Sequence, residues 1–176
     1  FSKPADAVLT DGARIPYPPA TGDLHHEVEL VVAIGKDGAG IAAAEALDHV
    51  YGYGIGVDLT RRDLQAAAKK AGAPWDTAKG FDHSAPCGPI SPVSKIGHLP
   101  DARIWLTVND DPRQETSTAE MIYSVPEIIT ELSKLYMLVP GDLIFTGTPA
   151  GAGPLVPGDR VSCGGEGLEP LEFSIV

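Results

Sequence analysis

The segment Tyr51-Gly-Tyr-Gly-Ile-Gly-Val57 places glycine at every second position. In a strand, alternate residues face opposite sides, so this pattern strips the side chains from one face and leaves bulky residues on the other. Such a strand suits a crowded place, where another backbone or a ligand approaches closely. The other elements read as short. Val28 to Ile34 is β-branched and mostly apolar, and Arg103 to Val108 alternates Ile104, Leu106 and Val108; both patterns predict strands. Asn109-Asp-Asp-Pro112 predicts a hairpin turn, with Gln114 to Thr116 returning. Leu143 to Phe145, Arg160 to Cys163 and Leu171 to Val176 complete the strands. The first two of these each follow a Val-Pro-Gly-Asp turn.

Helices are fewer. Ala42 to Val50 reads as a short one. Thr60-Arg-Arg-Asp63 resembles a capping box opening a helix through about Lys70, and Ser124-Val-Pro-Glu127 is a second. Behind the latter, Val125, Ile128, Ile129, Leu132, Leu135 and Tyr136 recur at helical spacing. The proline-bearing stretch Lys3 to Thr21 reads as extended and irregular. Without regular βαβ alternation, this order predicts a β-rich α+β fold. The 176 residues suit a single domain over 1–176.

The formal net charge of −11 argues against nucleic acid as a partner. No stretch has the apolar length of a membrane span. Two cysteines without metal-type spacing, Cys87 and Cys163, leave the cytoplasm as the expected compartment. For so acidic a chain, an anionic substrate needs local positive charge at the site, from a metal, Arg or Lys.

One pattern supplies a place for a metal. Glu27 and Glu29 stand two apart at the start of the Val28–Ile34 strand, so both project from one face while Val28 and Leu30 point to the other. Adjacent carboxylates in a buried strand repel one another and lose hydration, so they require a cation or protons. With Asp58 as a third acid, the donor set suits a hard ion such as Mg²⁺ or Mn²⁺. Two other readings stay open at this level: a solvated Glu-x-Glu face, and a zinc site using His25, Glu27 and Glu29.

Four ordered segments carry a family resemblance: Leu24-His-His-Glu-Val-Glu-Leu30, Gly56-Val-Asp-Leu-Thr-Arg-Arg-Asp-Leu-Gln65, Ala78-Lys-Gly-Phe-Asp82 and Phe145-Thr-Gly-Thr-Pro-Ala-Gly151. Pro140-Gly-Asp142, Arg113-Gln114 and Met121-Ile122 fit as well. Together they resemble the fumarylacetoacetate hydrolase family, within it the bacterial fumarylpyruvate hydrolase (acylpyruvase) branch. The resemblance implies a mixed β-sandwich roll, a homodimer, and one Mg²⁺ or Mn²⁺ per chain on Glu27, Glu29 and Asp58. It implies that Arg62, Gln65, Lys79 and Thr148 bind a small dicarbonyl acid, and that Lys79 and Gln65 take part in catalysis. The implied reaction is hydrolysis of a carbon–carbon bond in a 2,4-dioxo acid, fumarylpyruvate giving fumarate and pyruvate, as in aromatic catabolism. Decarboxylation or tautomerisation of a 2-oxo-dioic acid such as oxaloacetate is the alternative, and a non-catalytic carboxylate-binding protein the third reading. In the family a histidine–glutamate pair on a lid lies upstream of a Lys-Pro motif, seen here as Lys3-Pro4. With Phe1 first in the chain, the expectation is that this lid is absent, and His25, His26 and His83 are poor substitutes for its base.

Overall fold

A computed structural model describes residues 1–10 and 12–176. Its elements run β1 (Val8–Leu9), β2 (Ala13–Ile15), β3 (Leu24–His26), β4 (Val28–Ile34), β5 (Val50–Val57) and β6 (Thr60–Arg61), then helices α1 (Arg62–Ala71) and α2 (Asp76–Lys79). There follow β7 (Ala85–Pro86), β8 (Ser91–Pro92), α3 (Val93–Ile96), β9 (Arg103–Val108), β10 (Asp111–Ser117), α4 (Val125–Ser133), β11 (Leu143–Phe145), β12 (Gly153–Leu155), β13 (Arg160–Gly165) and β14 (Leu171–Ile175). Strands dominate and helices are few, the strand-rich α+β class that the sequence predicts.

Two sheets carry the architecture. One has the order β10-β9-β13-β14-β2 and the other β11-β4-β5-β8, with smaller sheets β12-β3-β6 and β1-β7. One core joins Leu106, Val161 and Phe173 of the first sheet to Val28, Ile55 and Val57 of the second. The second core lies further along the same β4–β5 pair, where Leu30, Val32 and Tyr53 meet Ile129 of α4. One apolar face of β4–β5 thus serves both cores; because Val31 and Ala33 on the other face are buried as well, the sequence of β4 is a nearly unbroken apolar run.

The opposite face belongs to the glycines. The β4–β5 register pairs Glu29 with Gly56, Val31 with Gly54 and Ala33 with Gly52, and cross-strand partners share a face. A β-carbon on Gly52 would sit 2.3 Å from the Ser91 carbonyl oxygen, and one on Gly56 would sit 2.7 Å from the Phe145 ring. The close approach expected from the glycine alternation is therefore supplied by backbone of the 88–91 segment and by the Phe145 ring.

Turn chemistry matches the sequence. Asn109 and Asp110 have φ of 53° and 68°, the two left-handed residues that a tight hairpin requires. In both Pro-Gly-Asp turns the aspartate accepts a hydrogen bond from the residue before the proline: Val139 N–H to Asp142 at 2.9 Å and Val156 N–H to Asp159 at 2.8 Å. The glycines of these turns hold φ of 98° and 100°.

Several local expectations are corrected. Ala42–Val50 is not an α-helix; only Ala46–His49 coils, as a 3₁₀ turn. Thr60 does not cap α1: Arg61 is the N-cap residue, without a side-chain cap, and Thr60 is drawn into the site described below. Asp63 instead accepts from the Thr21 hydroxyl and the Gly22 amide. At Ser124 the capping interaction holds, with the Glu127 carboxylate accepting from the Ser124 amide. However, α4 stops at Ser133, so Leu135 and Tyr136 lie outside it and are exposed. Lys3 to Thr21 is less irregular than expected, since β1 and β2 lie within it.

The glycine face generates a prediction. Gly52→Ala forces β5 and the Ser91 backbone apart and lowers stability by about 1–3 kcal/mol, the usual cost of overpacking. Gly22→Ala, where a β-carbon meets nothing within 4 Å, is the control. Urea unfolding of both variants checks this, and equal midpoints would refute the close-packing account.

Candidate metal centre and substrate cleft

Glu27 lies between β3 and β4, Glu29 lies on β4, and Asp58 follows β5. The Asp58 amide donates to the Glu27 carbonyl at 2.8 Å, which locks the end of β5 beside the start of β4. One carboxylate oxygen from each of Glu27, Glu29 and Asp58 then falls within 4.8 Å of the others. These residues are 8%, 4% and 1% exposed. The solvated-face reading of Glu-x-Glu is therefore excluded. The zinc reading fails too, because His25 turns away to Asp23 at 2.9 Å and is outside the cluster.

Three buried carboxylates require counter-charge, and the chain supplies it unevenly. Lys79, only 1% exposed, donates all three ammonium protons: to Glu27 at 2.7 Å, to Asp58 at 2.6 Å and to the Thr60 hydroxyl at 2.6 Å. Arg62 donates to Glu27 and to the Gln65 amide oxygen, both at 2.5 Å. Lys3 pairs with Asp58 at 2.8 Å, and also donates to the backbone carbonyls of Leu59, at 3.1 Å, and Lys79.

The pKa directions follow from this distribution. Burial pushes Glu27 up, but Lys79 and Arg62 outweigh it and hold the carboxyl below its ordinary value. Burial raises Asp58 in spite of Lys3 and Lys79. Glu29 accepts from the Gly147 amide at 2.7 Å and has no ion-pair partner within 4 Å among the described residues. Burial first, and then Asp58, push it to about 8. A divalent cation at the point the three acids share would replace the proton that Glu29 otherwise keeps. The all-oxygen, all-carboxylate donor set fits Mg²⁺ or Mn²⁺.

The acids open into a cleft of about 1320 Å³ that also reaches Lys3, Gln65, Lys79, Phe145 and Thr148. Of the residues singled out from sequence, Glu27, Glu29, Asp58, Gln65, Lys79 and Thr148 all line this cleft. Arg62 touches it indirectly, fixed between Glu27 and Gln65. With its oxygen held by Arg62, Gln65 keeps two N–H donors uncommitted to that bond. The Thr148 hydroxyl accepts from Gln114 at 2.8 Å, which leaves its own proton to donate.

Three participants went unassigned at the sequence level. Lys3 belongs to the Lys-Pro motif, which served only to mark a position. Thr60 was read as a helix cap. Gln114 was quoted in a motif without a role. Its amide oxygen accepts from His26 and from the Val28 amide, and its nitrogen donates to Thr148 and to the Pro149 carbonyl. This buried side chain thereby ties the Thr148 loop to the strand that bears the acids. His26, which burial keeps low, points to Gln114 and not to the metal acids. His83 sits at a φ of 64° and does not line the cleft.

With the geometry in place, comparison with known proteins is decisive. The family described as fumarylacetoacetate (FAA) hydrolase C-terminal matches residues 1–176. The chain belongs to this family. It is 40% identical to a fumarylpyruvate hydrolase of Ralstonia sp. over 175 residues, covering 99% of this chain and 91% of the relative. It is also 43% identical to the mitochondrial oxaloacetate tautomerase FAHD1 of Mus musculus over 175 residues, covering 99% of this chain and 79% of the relative. Among solved structures, fumarylpyruvate hydrolase from Pseudomonas aeruginosa in complex with Mn²⁺ and pyruvate matches with a TM-score of 0.98 at 44% identity, over 100% of this chain and 77% of that one.

Proton–metal competition at Glu29 is measurable. A carboxyl raised to about 8 is protonated at pH 7 and must give up its proton to a cation. Affinity for Mn²⁺ therefore falls as pH drops below about 8, and binding at pH 7 releases about one proton. Calorimetry in buffers of differing ionisation enthalpy reads this release; a binding heat independent of buffer would count against it.

Proposed function

We propose that this chain is a metal-dependent hydrolase that cleaves a carbon–carbon bond of a 2,4-dioxo acid of the acylpyruvate type. The observation that carries this reading is the meeting of Glu27, Glu29 and Asp58 at one buried point, with Lys79 bonded to two of them at the head of a large cleft. Fumarylpyruvate is the substrate named for the Ralstonia and Pseudomonas relatives and is the first to assay. On the family resemblance, the protein acts as one domain in a cytoplasmic homodimer.

A Mg²⁺ or Mn²⁺ on the three acids supplies Lewis acidity toward the oxygens of the 2-oxo acid. The chain's own residues bind and orient the substrate. Gln65 N–H and Thr148 O–H donate to the substrate's carboxylate and keto oxygens and set its orientation. Arg62 holds Gln65 and Glu27 in register, so that neither must be ordered when substrate arrives. Lys79 keeps a positive charge beside the reacting carbons, where negative charge accumulates as the bond breaks.

A second reading has its own support. The 43% identity to an oxaloacetate tautomerase favours proton transfer on a 2-oxo-dioic acid, which uses the same acids and donors and needs no attacking water.

Glu29→Ala and Asp58→Ala, assayed by loss of enol absorbance across added Mg²⁺, should each lower kcat/KM by at least about 100-fold, since each removes a metal ligand. Release of two products from an acylpyruvate identifies hydrolysis; enol loss from oxaloacetate without cleavage identifies tautomerisation. Full activity of either variant in chelator would dismiss the metal scheme.

A further inference from the structure

The cleft of about 1320 Å³ is lined well beyond the metal acids and Lys79, which would hold the dioxo acid head. Its floor continues along β11. The register pairs Phe145 with Val31 and Leu143 with Ala33, so Phe145 and Leu143 share the face that bears Glu29. From Gly147, whose amide bonds Glu29, back to Leu143 is about 13 Å along an extended chain. Beyond Leu143 the lining passes to Leu135, Tyr136 and Met137, side chains that α4 leaves exposed after its end at Ser133.

Charge is distributed unevenly along this length. Among the described residues that line the cleft, the only cationic side chains are Lys3 and Lys79. Both lie at the acid end and both are bound to Asp58. The far end offers no cation and holds the Asp142 carboxylate. A second substrate carboxylate placed there finds no cation to pair with and faces an acid of like sign.

We infer that the acyl end of the substrate is uncharged and apolar, a medium-chain alkanoyl or aryl group lying over Phe145 and Leu143 toward Met137, in preference to a dicarboxylic acyl group such as fumaryl. This inference deepens the proposed function and rests on it for the identity of the dioxo acid head. The apolar lining gains about fourfold in affinity per methylene it buries, whereas a terminal carboxylate gains nothing from it.

The test uses the Mn²⁺-loaded protein and a series of acylpyruvates that share one head: acetyl-, hexanoyl-, benzoyl- and fumarylpyruvate. Binding is measured by calorimetry and turnover by enol absorbance, as separate readouts. Hexanoyl- and benzoylpyruvate are expected to bind at least tenfold more tightly than acetyl- or fumarylpyruvate. Met137→Lys, at an exposed position where folding is not at stake, is expected to narrow or invert the gap in favour of fumarylpyruvate. If this order of binding holds while no acylpyruvate is cleaved, the hydrolase reading fails and the apolar acyl site stands. If fumarylpyruvate binds as tightly as hexanoylpyruvate, if no acylpyruvate binds, or if Met137→Lys leaves the order unchanged, the apolar acyl site is overturned.

Discussion

Burying three carboxylates with their counter-charge placed on only two of them is the constraint around which this protein is arranged. Glu27, Glu29 and Asp58 are held where water cannot solvate them, and bare carboxylates in such a place are prohibitively costly. Lys79, Arg62 and Lys3 answer that cost for two of the acids. Each cation comes from a different segment, so the N-terminal stretch, the start of α1 and the single turn of α2 are all drawn to one point. Among the described residues, Glu29 is left with a backbone amide alone. The uneven placement leaves Glu29 as the carboxylate that a divalent cation would answer, while the ion pairs on Glu27 and Asp58 let the cluster stay buried without one.

The sheets make that cluster possible by dividing labour between the two faces of β4 and β5. One face is committed to the cores beneath the five-stranded sheet and α4. The other carries Glu29 beside a column of glycines, and the missing β-carbons let the Ser91 backbone and the Phe145 ring close over the sheet. Acids and apolar floor therefore occupy one continuous surface. A polar metal-binding head and an uncharged acyl site are adjacent because they are successive residues on neighbouring strands.

Much of this was legible in advance. The two-residue spacing of Glu27 and Glu29 at the head of an apolar strand indicated their shared face, though a solvated face stayed open until the sheets packed, and the resemblance added Arg62, Gln65, Lys79 and Thr148 to the acids. Where local reading failed, a long-range contact had overridden a local propensity. Thr60 has the residue type and spacing of a helix cap, but Lys79 claims its hydroxyl. Leu135 and Tyr136 continue the helical period of α4, but the chain turns away at Ser133. Nothing near Gln114 in the chain indicates that its amide fastens the Thr148 loop to Val28.

Local backbone geometry sets which near neighbours share a face and where the chain can turn, and for that reason the chain's order already determined its longer strands, its Pro-Gly-Asp and Asn-Asp turns, the start of its amphipathic helix and the spacing of its paired carboxylates. Only the tertiary structure decided which cations meet those carboxylates, which one is left without a partner, and what lines the cleft beyond them. Lys3 and Asp58, or Val28 and Gln114, are many tens of residues apart, and no periodicity spans such a distance. Charge compensation depends on separation in space, and that is settled when the sheets pack.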